Sequence, residues 1–118
     1  MRFLAILGAL AALGASVPAQ AEATGSWRVD GAISGRTFQL DCRFEGAGGV
    51  CVDAASGGKR VHRLTSLSAS GDQVAWSFAT KVMLMNIAMT FTGRATGDRM
   101  SGTVRAAGRS GSFTAVRR

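Results

Sequence analysis

The chain has 118 residues, with 14 basic and 7 acidic side chains, a net charge of +7, 47% hydrophobic residues, 16 glycines and one proline. That much apolar content excludes an intrinsically disordered chain, and the length allows one small domain. Two cysteines and a single histidine are too few for a metal centre, and there is no C-x-x-C redox motif.

The N-terminus reads as a targeting segment. Arg2 is followed by an apolar run from Phe3 to Ala15, and Ala19-Gln20-Ala21 has the small-x-small form of a signal-peptidase site. The run is too short for a membrane span. We therefore expect residues 1–21 to be a signal peptide cleaved after Ala21, and residues 22–118 to be a single domain in the periplasm or outside the cell. No cysteine follows the expected cleavage site, which argues against a lipid anchor. The remaining 97 residues carry 13 basic and 7 acidic side chains.

Alternation at period two then runs along the whole domain and predicts strands. Gly25 to Val29 opens the first, with Trp27 and Val29 on one face. From Arg36 to Glu45, Phe38, Leu40, Cys42 and Phe44 alternate with polar residues. Gly46-Ala47-Gly48-Gly49 turns the chain, and Val50-Cys51-Val52 starts back. Pairing Cys42 with Cys51 puts the centre of the turn between Gly46 and Ala47, so the two cysteines face each other across one hairpin, and an exported chain makes a disulfide there the default. After Ser56-Gly57-Gly58-Lys59, a weaker strand holds Val61, Leu64 and Leu67; its alternation breaks between Val61 and Leu64, predicting a bulge.

The second half contains an echo. Ala69 to Phe78 aligns without gaps on Ala95 to Val104, each with Gly-Asp (Gly71-Asp72, Gly97-Asp98) ahead of an alternating run, which is hairpin chemistry. In the alignment Gly102 takes the place of Trp76, and we expect it to leave room for that ring. Between the copies, Lys81 to Gly93 reads as one apolar strand with Met83, Met85, Ile87, Met89 and Phe91 on one face. Ser112 to Arg117 is the last strand. About eight short strands joined by glycine turns, with no helical stretch, predict an all-β domain. The expected architecture is an antiparallel up-and-down barrel, with a two-sheet β-sandwich as the alternative.

Gly25-x-Trp27 opening the first strand, with Arg117 ending the last, resembles the calycin arrangement of lipocalins, fatty-acid-binding proteins, avidins and small bacterial inhibitors of secreted metalloproteases. The resemblance implies that Trp27 closes one end of the barrel and that Arg117 lies across its ring, both structural roles.

No constellation of catalytic type is present, so we expect no enzyme and no cofactor. His62 has no partner nucleophile in the pattern and alternates away from Val61, which places it in solvent. The acidic residues do not pair up as glycoside chemistry requires. Met83, Met85 and Met89 offer soft thioethers, but their alternation makes them core residues rather than copper ligands. So many large inward groups leave space for a shallow apolar cup rather than a deep cavity. Trp76, Phe78, Met85 and Met89 are the expected binding residues there, for a small apolar ligand or a protein partner. The scattered arginines make an acidic envelope polymer a further candidate partner. Nucleic acid is disfavoured, since no aromatics interleave with the charges. Polar outward positions argue against a membrane-spanning barrel. The expected function is thus an exported, non-enzymatic, calycin-like binding module. The alternatives are a protease inhibitor acting through Glu22 to Gly25 or a rim loop, and an envelope structural protein with a basic surface.

Overall fold

A computed structural model describes residues 23–118; the expected signal segment and Glu22 lie outside the described residues. β1 (Gly25–Ile33) turns through Ser34-Gly35 into β2 (Arg36–Glu45), and β3 (Gly48–Asp53) ends in a single 3-10 turn, Ala54–Ser56. β4 (Val61–Ser70), β5 (Gln73–Val82), β6 (Met85–Thr96), β7 (Arg99–Ala106) and β8 (Arg109–Arg117) follow as a meander. Each strand pairs antiparallel with the next, and β8 returns to β1 with Arg117 opposite Trp27. The sheet is therefore a closed up-and-down barrel of eight strands, and the sandwich alternative is set aside.

The inward rows are those the alternation marks in the first half. Trp27, Val29, Leu40, Cys42, Phe44 and Cys51 are all buried, as are Val74, Trp76, Phe78, Phe91, Val104 and Phe113 further on. Trp76 lies flat on Phe91, with ring centroids 4.7 Å apart and 3° between planes. Phe44 and Phe113 close on Trp76 at 4.9 Å and 5.3 Å. These rings fill the middle of the barrel. Cys42 and Cys51 face each other across the β2–β3 hairpin and form a disulfide, with Gly46-Ala47 as its two-residue turn.

Three hairpin turns, Gly46-Ala47, Gly71-Asp72 and Gly97-Asp98, gather with the start of β1 and the end of β8 at one pole, which we term the closed end. The echoed Gly-Asp turns are stitched alike. The Asp72 carbonyl accepts from Ala95 N at 2.8 Å and the Asp98 carbonyl from Arg117 N at 2.9 Å. Each aspartate carboxylate also pairs with an arginine, Arg94 at 3.1 Å and Arg117 at 3.4 Å. At the same pole Trp27 Nε1 donates to the Ala23 carbonyl at 2.8 Å, and the Arg117 guanidinium sits 4.4 Å from the Trp27 ring centroid.

Two local expectations are corrected. The bulge in β4 lies between Leu64 and Ser66, not between Val61 and Leu64. The phase therefore stays regular up to Leu64, so His62, opposite Cys51, is half-buried while Val61 is 54% exposed. Gly102 stands opposite Gly93 on β6, and a Cβ there would strike the Thr92 carbonyl. It permits a close approach of two backbones.

The second correction is larger. Lys81 to Gly93 is not one strand, because the chain reverses at Met83-Leu84, with Val82 opposite Met85. Met83 and Met85, expected in the core, are 91% and 65% exposed. Strand pairing of β5 to β4 stops at Phe78, and that of β6 to β7 begins at Met89. Ala79 to Ala88 thus form a two-stranded ribbon that extends past the barrel wall.

Candidate functional site

The other pole, the mouth, carries Ser34-Gly35, the connection from Ala54 to Arg60, the Met83-Leu84 turn and Ala107-Gly108. It holds a cavity of about 340 Å³. Phe38, Leu40, Phe78 and Met89 supply its apolar surface, and Val82 of the ribbon leans in from above. Arg36, Arg60, Asp53 and His62 supply the polar edge. The volume stands at the lower end of the range for small-molecule sites.

The floor exists because the aromatic stack stops there. Phe78 is the uppermost buried ring, 5.8 Å from Phe91, and Phe38 meets Phe91 edge-on at 6.0 Å. Phe38 folds across Gly31, its partner on β1, where a Cβ would run into the ring. A side chain at residue 31 would push Phe38 into the cup.

His62 stacks on Phe78 with 4.7 Å between centroids and 12° between planes. Burial lowers its pKa below the usual 6.5, the nearby Arg60 charge lowers it further, and Asp53 partly opposes both. A histidine whose folded pKa is depressed stabilises the fold above its unfolded pKa, and that contribution is lost as pH falls through the folded value. The domain should therefore lose stability on acidification from above 6.5. A His62→Gln variant should show a flatter dependence of the urea midpoint over that window. Equal slopes in the two proteins would overturn the assignment.

The charges are sorted between the two poles. Among the described residues, all five ion pairs (Arg28–Asp41, Arg43–Glu45, Arg94–Asp72, Arg117–Asp98 and Arg118–Asp41) lie in the closed half. The mouth carries Arg36, Lys59, Arg60, Lys81, Arg105 and Arg109. None of these six joins an ion pair among the described residues; Arg109 donates to Ser34 Oγ at 3.2 Å. The one carboxylate among the mouth connections, Asp53, accepts from Ala55 N at 3.1 Å and caps the 3-10 turn.

The Met83-Leu84 turn is conformationally costly. Both residues have positive φ, 49° and 70°. A left-handed backbone costs a side chain with a Cβ about 1–2 kcal/mol per residue. Ser34 and Ala107 also have positive φ, but each is followed by a glycine; here two bulky apolar residues sit side by side.

The four expected binding residues do not come together. Phe78 and Met89 line the cavity. Trp76 is fully buried beneath them. Met85 stands on the exposed ribbon, outside the lining. Arg36, Arg60, His62 and Phe38 were not among the expected binding residues. Arg36 and Arg60 flank turns in the sequence, and the up-and-down order of β2, β3 and β4 is what brings them to one opening. No family model matches the chain, and neither does any curated protein or solved structure.

Proposed function

We propose that this protein is an exported, non-enzymatic binding module whose mouth takes a small amphiphile, with an apolar body in the cup and an anionic group against Arg36 and Arg60. The observation that carries this reading is the cup itself: an apolar floor of Phe38, Phe78 and Met89 beneath two arginines with no ion pair among the described residues. A cation beside an apolar wall, with no carboxylate bonded to it, favours a ligand that supplies the missing charge. The interior below is packed with rings, so the ligand's apolar part is short. Arg117 over Trp27 at the opposite pole is in keeping with a calycin-like barrel that binds at its open end.

The mouth is favoured over the N-terminal segment as the site. Ala23 is buried, and the Thr24 carbonyl accepts from Arg117 Nη1 at 2.6 Å, which ties Ala23 to Gly25 down rather than offering it to a protease cleft. The test is titration of the folded protein with dodecanoate and with dodecanol. Saturable binding of dodecanoate is expected. The Arg36→Gln/Arg60→Gln variant should weaken it by about tenfold or more, equivalent to about 1.4 kcal/mol, and should change dodecanol binding little. Absence of dodecanoate binding, or equal losses for acid and alcohol, would overturn the reading.

A further inference from the structure

Six large hydrophobic residues are exposed among the described residues, and four of them are consecutive: Val82 (46%), Met83 (91%), Leu84 (92%) and Met85 (65%). They form the tip of the ribbon, and the strained turn holds them there. Asn-Gly would make the same turn without strain. Backbone strain of this kind clusters at sites where a particular side chain is required.

We infer that the ribbon tip docks this protein on an anionic lipid bilayer, with Met83 and Leu84 entering the interface and the mouth cations meeting the headgroups. Charge complementarity selects this occupant. The tip projects from the pole with six cations outside the ion pairs of the closed half, and the one carboxylate among the mouth connections is engaged in a cap. Shape agrees, because a narrow convex tip needs a matching pocket in a protein but none in a fluid bilayer. Depth agrees as well. Lys81 is two residues behind the turn, about 7 Å at the strand rise, and interfacial anchors bury their apolar face by about 5–10 Å. An apolar insertion combined with a basic patch supplies the two signals that stable membrane attachment takes. The inference does not depend on the cup having a ligand.

The experiment is co-sedimentation of the folded protein with vesicles of phosphatidylglycerol and phosphatidylethanolamine, compared with vesicles of phosphatidylcholine. Binding to the anionic vesicles is expected, weakening as salt rises, with little binding to phosphatidylcholine. Met83→Asn/Leu84→Gly should cut binding by about tenfold or more and at the same time raise the melting temperature, since the turn strain is relieved. It should leave dodecanoate binding unchanged. In Leu84→Trp, the new indole emission should shift to the blue on adding anionic vesicles. The inference is overturned by undiminished vesicle binding in the double variant, or by indole emission that does not move. Release of the protein from vesicles by inorganic phosphate at equal ionic strength would indicate a simple anion site and overturn it too. So would a dimer of the native protein that the double variant abolishes, because the tip would then cover a second copy. Failure of dodecanoate binding with vesicle binding intact would remove only the cup reading, and the reverse result only this one.

Discussion

Trp76→Ala should remove a large part of the domain's stability. The indole is fully buried, stacked on Phe91 and flanked by Phe44 and Phe113, so its removal opens a void in the middle of the aromatic cluster. A buried tryptophan replaced by alanine costs about 3–5 kcal/mol. A domain of this size has about 5–14 kcal/mol in total. Trp76→Phe separates ring packing from the polar group. Trp76 Nε1 is buried without a hydrogen-bond partner among the described residues. A buried donor left unpaired costs about 1–3 kcal/mol, and phenylalanine removes it while keeping a ring on Phe91. We expect Trp76→Phe to lose under about 1.5 kcal/mol, well short of the alanine variant. Denaturant melts followed by near-ultraviolet circular dichroism measure both. A phenylalanine variant as unstable as the alanine one would show that ring size alone sets the cost.

Opening the Cys42–Cys51 bond should be the next largest perturbation. The bond closes a loop with a sequence separation of 9 and lies wholly in the core, with Cys42 2% and Cys51 0% exposed. Chain-entropy arguments assign a loop of that size about 2–3 kcal/mol. In a domain this small that lowers the melting temperature by about 10–20 °C. The Cys42→Ala/Cys51→Ala variant is the cleaner comparison, because reduction leaves two thiols where one bond fitted. A shift of less than about 3 °C, corresponding to under 1 kcal/mol, would mean that the paired strands already hold the hairpin without the bond.

The barrel was legible in the sequence wherever one face of a strand meets the core without interruption. Trp27 with Val29, and Leu40 with Cys42 and Phe44, alternate because every second side chain replaces water with other side chains. Pairing the two cysteines set the β2–β3 register and with it the Gly46-Ala47 turn. The reversal at Met83-Leu84 was hidden for a definite reason. A two-residue hairpin loop switches the inward row from even residues on β5 (Trp76, Phe78) to odd ones on β6 (Met89, Phe91), but Met83 in the turn extends the odd row of β6 backwards, and no glycine or asparagine marks the reversal. The bulge near Thr65 misled in the opposite sense, setting Val61 inward and His62 outward when each faces the other way.

The site was half legible. Phe78 and Met89 could be placed inside by parity, but parity says nothing about distance along the barrel axis. Trp76 and Phe78 therefore looked equivalent although one lies deep and the other forms a floor. Arg36 opens β2 and Arg60 ends the connection into β4, two strands separated by β3, and only the up-and-down order of the strands carries both to the same opening.

The seam between β1 and β8 has a consequence for how the molecule assembles. Seven of the eight strand pairings join neighbours in the chain, and each can form from a local hairpin; the eighth joins the first strand to the last. Loop-closure entropy makes that step the slowest to be rewarded. The Trp27–Arg117 contact and the Arg117 hydrogen bond to the Thr24 carbonyl straddle this seam, and so act as a clasp fastened last, once the whole chain has been made.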